Sequence, residues 1–260
     1  MNLDLTDKTA IVCGATQGIG FATAKELSSL GARIVLVARN EEKLIEAAAQ
    51  LHDQTKNHSY LVADFSHPQQ VSEAIQLFFQ HDTAHILVNN TGGPNPGKAI
   101  ESDIEQFRQA FNAHLICNQI LAQACAPHFI KNGYGRIVNV ISTSVKQPLP
   151  NLGVSNTIRG AVANWSKTLA GELGVHGITV NNVLPGATAT GRLEQIINNK
   201  AKKSGSQAAD VQHEMEQEVP MKRLAKPEEI ANAIAFLCSP AASYINGINV
   251  PVDGGRTLCL

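Results

Sequence analysis

Seven short apolar runs, each separated from the next by a stretch of different periodicity, constrain this chain more than any other property. Thr9–Cys13, Arg33–Ala38, Ser59–Ala63, His85–Val88, Arg136–Val140, Ile178–Leu184 and Ile248–Val250 read as strands. Most are apolar at nearly every position rather than alternating, as strands covered on both faces must be. Between them, Gly18–Leu30, Glu41–Leu51, Pro68–Phe79, Asp103–Lys131, Leu152–Leu173 and a segment from Lys226 to Cys238 carry helical spacing. Pro68 and Pro227 stand where a first-turn proline opens a helix. This β-α-β-α rhythm predicts an α/β fold: a single doubly wound Rossmann-type domain over residues 1–260, with a parallel sheet of about seven strands and helices on both faces. One segment breaks the rhythm. Asn198–Glu218, within a stretch from about 190 to 220, is polar, helical in propensity and poor in large apolar residues. Two readings stand for it: a lid over a crevice at the carboxyl edge of the sheet, or a solvated helical insert.

Composition narrows the class of partner. The chain has 260 residues, 43% of them hydrophobic and 17% charged, enough apolar content to bury a large core. The formal net charge of −1 gives no polyanion-binding signal, so no nucleic-acid partner is expected. No apolar run reaches the roughly 18 residues a membrane span needs. The N-terminus, Met1 to Asp7, is acidic and lacks the basic-then-apolar layout of a signal peptide. Cys13, Cys117, Cys125, Cys238 and Cys259 are odd in number and scattered, which fits reduced thiols in a cytoplasmic protein. There is no C-x-x-C pair or His/Cys cluster, so no metal site is expected.

The strongest motif is Gly14-Ala15-Thr16-Gln17-Gly18-Ile19-Gly20, between the first strand and the first helix. Glycines there permit a tight turn and let the backbone approach a pyrophosphate seated on helix N-terminal amides. A purely structural turn is the alternative. The spacing is Gly-x-x-x-Gly-x-Gly, and other marks follow in order: Asn89-Asn90-Thr91-Gly92, Asn112, Ser142 after a buried strand, Pro185-Gly186 with Thr188 and Thr190, and Val252-Asp253-Gly254-Gly255. In these features the chain resembles the short-chain dehydrogenase/reductase family, including members described as 3-oxoacyl-carrier-protein reductases, over nearly its whole length. The resemblance implies a nicotinamide dinucleotide cofactor and hydride transfer to or from a carbonyl or alcohol. It assigns cofactor contacts to Gly14, Thr16, Gln17, Gly18, Ile19, Gly20, Asp64, Phe65, Asn90, Gly92, Pro185, Gly186, Thr188 and Thr190. It makes Ser142 the active-site serine and Asn112 the helix asparagine. It also implies a homo-tetramer or homo-dimer built through the long helices.

The chain departs from the family at the proton donor. A tyrosine is expected thirteen residues after the serine and a lysine four further on; here those positions are Ser155 and Arg159. None of the three tyrosines, Tyr60, Tyr134 and Tyr244, can be shifted into the slot. A serine hydroxyl lacks a phenol's acidity, and arginine, with a pKa above ~12, keeps its proton. Arg159 can still bind cofactor ribose hydroxyls. His114, two residues past Asn112, titrates near neutrality and is one substitute acid or base; packing or hydrogen bonding is its other reading. Two helical residues span about 200°, so His114 and Asn112 should not share a face. Lys146 is either an inward cationic donor or a solvated loop lysine.

The second strand ends in Ala38, with no acid to hold ribose hydroxyls, and Arg39 follows, placed to pair with a 2′-phosphate. NADP is expected over NAD. Arg192, Lys200, Lys202 and Lys203 either meet an acidic carrier or phosphorylated acyl group or form a solvated basic turn. Two functions from different classes remain: an NAD(P)-dependent oxidoreductase with an altered proton-donating site, or a catalytically weak or inactive NADP(H)-binding protein acting as sensor or partner subunit.

Overall fold

The computed structural model describes residues 1–259, apart from the side chain of Lys203, so the basic-turn reading of that residue lies outside the described residues. Seven parallel strands form one sheet among the described residues: β1 (Thr9–Cys13), β2 (Arg33–Ala38), β3 (Ser59–Val62), β4 (Ile86–Asn89), β5 (Gly135–Val140), β6 (Ile178–Pro185) and β7 (Asn249–Val252). Their order is β3-β2-β1-β4-β5-β6-β7, so the chain reverses direction across the sheet between β1 and β4. In such sheets ligands bind at the carboxyl ends of the strands beside that reversal.

Helices cover both faces. α1 (Gly18–Ser29), α2 (Glu41–Ala48) and α9 (Pro227–Cys238) pack with Val12, Ile34, Leu36 and Val138 on one side. α3 (Pro68–Phe79), α5 (Cys117–Asn132) and part of α6 (Gly153–Leu173) pack with Ile11, Val35, Leu87 and Ile137 on the other. The central strands thus send alternate side chains into two separate cores, which is why they are apolar at most positions. Four of the five cysteines are buried, and Cys259 is exposed. No helix among the described residues is long and apolar enough to cross a membrane.

Two expectations change in detail. The helix expected over Asp103–Lys131 is not continuous: α4 (Ile104–Phe111) passes into a π-turn over Asn112–Ile116 and then into α5. A π-turn inserts an extra residue into the helical repeat and rotates the side chains that follow. The polar stretch near 190–220 forms α7 (Gly191–Ser204) and α8 (Ala208–Gln217), closed around a small apolar cluster of Leu193, Ile197, Ala201 and Val211.

A polar ladder crosses the sheet interior. Asn89, Asn139, Asn182 and Asn249 are in register on β4, β5, β6 and β7. Each Nδ2 donates to the next Oδ1, at 2.8, 2.9 and 2.8 Å. Pairing of this kind is what lets buried amides sit in an apolar sheet; the Asn89 Oδ1 at the ladder's start is the one ladder oxygen left without a partner among the described residues.

Candidate active site

The turn after β4 organises the crevice. Asn90 donates through Nδ2 to the carbonyls of Cys13 and Gly14, at 3.2 and 3.3 Å, and so locks the glycine loop. A Cβ on Gly14, whose φ is +58°, would lie 2.6 Å from the Asn90 carbonyl oxygen. A Cβ on Gly20 would lie 2.7 Å from Asn90 Nδ2, and closer still to the Gly14 carbonyl oxygen. These glycines let strand, loop and helix approach closely. The N-terminus of α1 that results has no side-chain cap and no acid in its first turn. Its amides and positive dipole end are therefore available to an anion. Thr190, the N-cap of α7, stands across from Gly18: a Cβ there would come within 3.2 Å of its methyl group. Thr16 is half-buried, Gln17 is exposed, and Ile19 packs against the core beneath the loop.

The same cradle continues on both sides. Arg39 is exposed at the end of β2, and its charge acts on Asp64 beyond β3. Burial raises the Asp64 carboxyl pKa, but hydrogen bonds from the Ser66 backbone and hydroxyl, with the Arg39 charge, hold it below its ordinary value. Phe65 accepts a bond from Cys117 Sγ through its carbonyl. On the far side, Gly186 follows Pro185 and donates its amide to the Val252 carbonyl; a Cβ on Gly186 would collide with Asp253. Thr188 donates to the Gly186 carbonyl at 3.0 Å and pairs with Ala225 through a β-bridge. The observed cradle fits a dinucleotide: a pinched glycine loop, an uncapped helix N-terminus, and a basic side chain where an adenosine ribose would end.

Ser142 follows β5 in extended backbone, and its Oγ accepts from the Ser144 amide at 3.1 Å. Ser155 and Arg159 lie one turn apart on α6, at a spacing that shares a face. Ser155 is half-buried, and its hydroxyl has no partner among the described residues. Arg159 is 7% exposed and donates through Nη1 to the Val140 carbonyl at 3.0 Å, which ties α6 to the strand leading into Ser142. Its Nε has no partner, and burial pushes its pKa down to about 10.

The structure separates Asn112 from His114. Asn112 lines an outer groove of about 430 Å³ with Phe107, Arg108, Phe111 and Ile158. His114 is 2% exposed, with Nδ1 2.5 Å from Thr91 Oγ1. Burial, then the Arg159 charge, holds its pKa well below the usual histidine value and keeps it neutral. The buried residue of the bent helix is therefore the histidine, and Asn112 faces the groove beside Ile158. Lys146 is half-buried on the turn after Ser142, and its carbonyl accepts from Cys259 Sγ. Gly92 is exposed at the mouth of the crevice.

Sequence reasoning missed two partners. Thr91 bonds His114, and Arg192, from the first turn of α7, donates through Nη2 to the Gly93 and Pro94 carbonyls at 3.3 and 3.0 Å. Thr91 falls inside the Asn89-Asn90-Thr91-Gly92 motif, but nothing local names its partner; the span from Arg192 to Gly93 leaves no local signal either.

Known proteins give the same account. The family model described as enoyl-(acyl carrier protein) reductase matches residues 14–257. The 3-oxoacyl-[acyl-carrier-protein] reductase of Rickettsia bellii is 32% identical over 258 residues, covering 98% of this chain and 99% of that protein. The NADPH-dependent reductase BacG of Bacillus subtilis is 30% identical over 254 residues, covering 96% of this chain and 98% of that protein. Among solved structures, L-sorbose reductase from Gluconobacter frateurii, complexed with NADPH and L-sorbose, superposes with a TM-score of 0.93 at 31% identity, covering both chains fully. Sequence, topology and cradle agree: the chain belongs to the short-chain dehydrogenase/reductase family of NAD(P)-dependent oxidoreductases.

Proposed function

We propose that this protein is an NADP-dependent oxidoreductase acting on a carbonyl or alcohol, with Ser142, Ser155 and Arg159 at its reacting centre. One observation carries the reading. The Arg159 guanidinium is tied to the strand that delivers Ser142, and its other donors are left uncommitted beside an intact glycine cradle. Gly14, Thr16, Gln17, Gly18, Ile19 and Gly20 would hold the pyrophosphate side of the cofactor. Arg39 would pair with the 2′-phosphate, and Asp64 and Phe65 would border the adenine. Asn90, Gly92, Pro185, Gly186, Thr188 and Thr190 would border the nicotinamide half. NADPH bound there supplies a hydride.

The chain's own residues do the rest. Ser142 donates a hydrogen bond to the substrate oxygen. Arg159 keeps its proton, binds ribose hydroxyls and stabilises negative charge developing on that oxygen, which is an electrostatic contribution distinct from proton transfer. Ser155, with its uncommitted hydroxyl, passes the proton between substrate oxygen and solvent. A serine does this less readily than a phenol, so proton delivery is the slow step. His114 stays neutral and holds the Thr91 turn against the π-turn between α4 and α5. The α7–α8 pair acts as a lid, clasped to Gly93 and Pro94 by Arg192.

The test is turnover of NADPH on a panel of carbonyl compounds, with and without deuterium in the solvent and at the transferred position. Turnover with a larger solvent than primary isotope effect, and loss of ~10²-fold or more of kcat in Ser142→Ala, supports the assignment. Tight NADPH binding with no turnover on the panel would replace it with the sensor or partner-subunit reading. We also propose that the protein assembles as a homo-tetramer or homo-dimer, which sedimentation would establish.

A further inference from the structure

Two guanidinium groups converge on the turn Gly92-Gly93-Pro94, and no carboxylate of the described residues pairs with either. Arg159 approaches from inside, its Nη2 3.9 Å from where a Gly93 Cβ would stand. Arg192 approaches from α7 and holds the carbonyls of Gly93 and Pro94. Neither arginine forms an ion pair among the described residues. Among the described residues the ionisable group that feels the Arg159 charge is His114, which is neutral there. Arg159 is nine-tenths buried, spends one of five N–H donors on a protein oxygen, and leaves Nε orphaned. A buried cation is ordinarily paired. Nη1 is held by the Val140 carbonyl and Nε is closed off, so Nη2, facing the Gly93 turn, is the donor placed to meet an anion by a charge-assisted bond. Glycines at 92 and 93 leave the approach open, since both are exposed and carry no side chain.

We propose that the substrate is an anionic carbonyl compound, an oxo acid whose carboxylate is bound by Arg159, with Arg192 as a second cation across Gly93. The inference rests on the reductase reading and narrows its substrate class. Ribose hydroxyls are neutral and leave the Arg159 charge uncompensated; the carboxylate supplies the counter-charge that no described residue provides. Arg192 also makes binding sensitive to the lid, because its grip on Gly93 and Pro94 draws α7 toward the bound acid.

The test is a calorimetric titration of the protein saturated with NADP⁺, where no turnover occurs. Pyruvate, acetoacetate and levulinate, as 2-, 3- and 4-oxo acids, are each compared with their methyl esters. At least one acid is expected to bind about tenfold or more tighter than its ester, the range of a charge-assisted hydrogen bond. Arg159→Met should erase the preference in that pair, Arg159→Lys should reduce it, and Arg192→Gln should weaken the acid and not the ester. Equal binding of acid and ester, no saturable binding by any of the three acids, or a preference that survives Arg159→Met overturns the proposal. The NADP⁺ titration that precedes each experiment separates the two failures. If the nucleotide does not bind the wild-type protein, the reductase reading itself falls. If it binds and the acids gain nothing, only the substrate class is wrong.

Discussion

His114 shows how burial converts a titratable side chain into a fixed one. In the unfolded chain it protonates near ~6.5. In the fold its pKa lies well below that, first through desolvation and then through the Arg159 charge. The unfolded state then binds more protons wherever the pH lies between the two values, so stability rises with pH across that window. The contribution is complete above about pH 6.5 and is lost as pH falls below it. Urea titrations from pH 5 to 8 should show this slope in the wild type and a flatter one in His114→Asn. His85 and His128 have lowered pKa values of their own and leave a residual slope in both proteins. A second prediction concerns Gly20. Its Cβ would press on the Gly14 carbonyl and the Asn90 amide, so Gly20→Ala should cost about 1–3 kcal/mol and weaken NADPH binding sharply. Thermal unfolding with and without NADPH checks both effects. The glycine motif was legible because its spacing is local and each glycine has a local reason. The histidine was only half legible. Its separation from Asn112 followed from helical geometry, but which of the two turns inward depends on the π-turn, and no residue type marks that.

At the scale of elements, side-chain pairing across strands decides what periodicity cannot. The amide ladder places Asn139 between Asn89 and Asn182, 0% exposed. Asn139→Ala would leave a buried donor on one neighbour and a buried acceptor on the other, an expected loss of about 2–5 kcal/mol in urea unfolding. Asparagine is poor in strand propensity, so the sequence shows these residues only as polar interruptions of apolar runs. Their purpose emerges when parallel pairing puts them in register. The α7–α8 pair makes the opposite case. Its helical propensity was plain in the sequence, and its hold on the rest of the fold was not, because that hold consists of a few long-range contacts: Arg192 on the β4 turn, and an ion pair between Arg256 and Glu218 just past α8. Val211 is 1% exposed in the small cluster that joins the two helices. Val211→Ala should therefore raise amide hydrogen exchange across residues 191–217 while exchange in β1, β4 and β5 stays at wild-type rates, because the cluster is separate from the two main cores.

For the whole molecule, the strand order explains why one ligand should stabilise everything. The crevice draws on both sides of the reversal: the glycine loop and Arg39 come from β1 and β2, Asn90 from the end of β4, Ser142 from β5, and Thr190 from beyond β6. The alternating apolar runs made this architecture readable, since parallel pairing with covered faces leaves few other arrangements for such a chain. A nucleotide that spans the crevice is released only if both halves let go, so its binding energy adds to global stability and not to one half. At a concentration a hundred times its Kd, it should add about 2.7 kcal/mol. For a chain of this size that corresponds to a rise in Tm of roughly 5–10 °C. On the NADP-dependent reading proposed above, the choice of nucleotide resides at the end of β2. β2 ends without a carboxylate to bind ribose hydroxyls, and the exposed Arg39 follows it. NADPH should therefore give the larger rise and NADH a much smaller one at equal concentration. Arg39→Asp should invert that order, because a carboxylate accepts from the free hydroxyls and repels the 2′-phosphate. Thermal scans of both proteins with both nucleotides decide the matter. If Arg39→Asp leaves NADPH protection intact, the phosphate is held elsewhere; if neither nucleotide protects the wild type, the crevice does not bind dinucleotide at all.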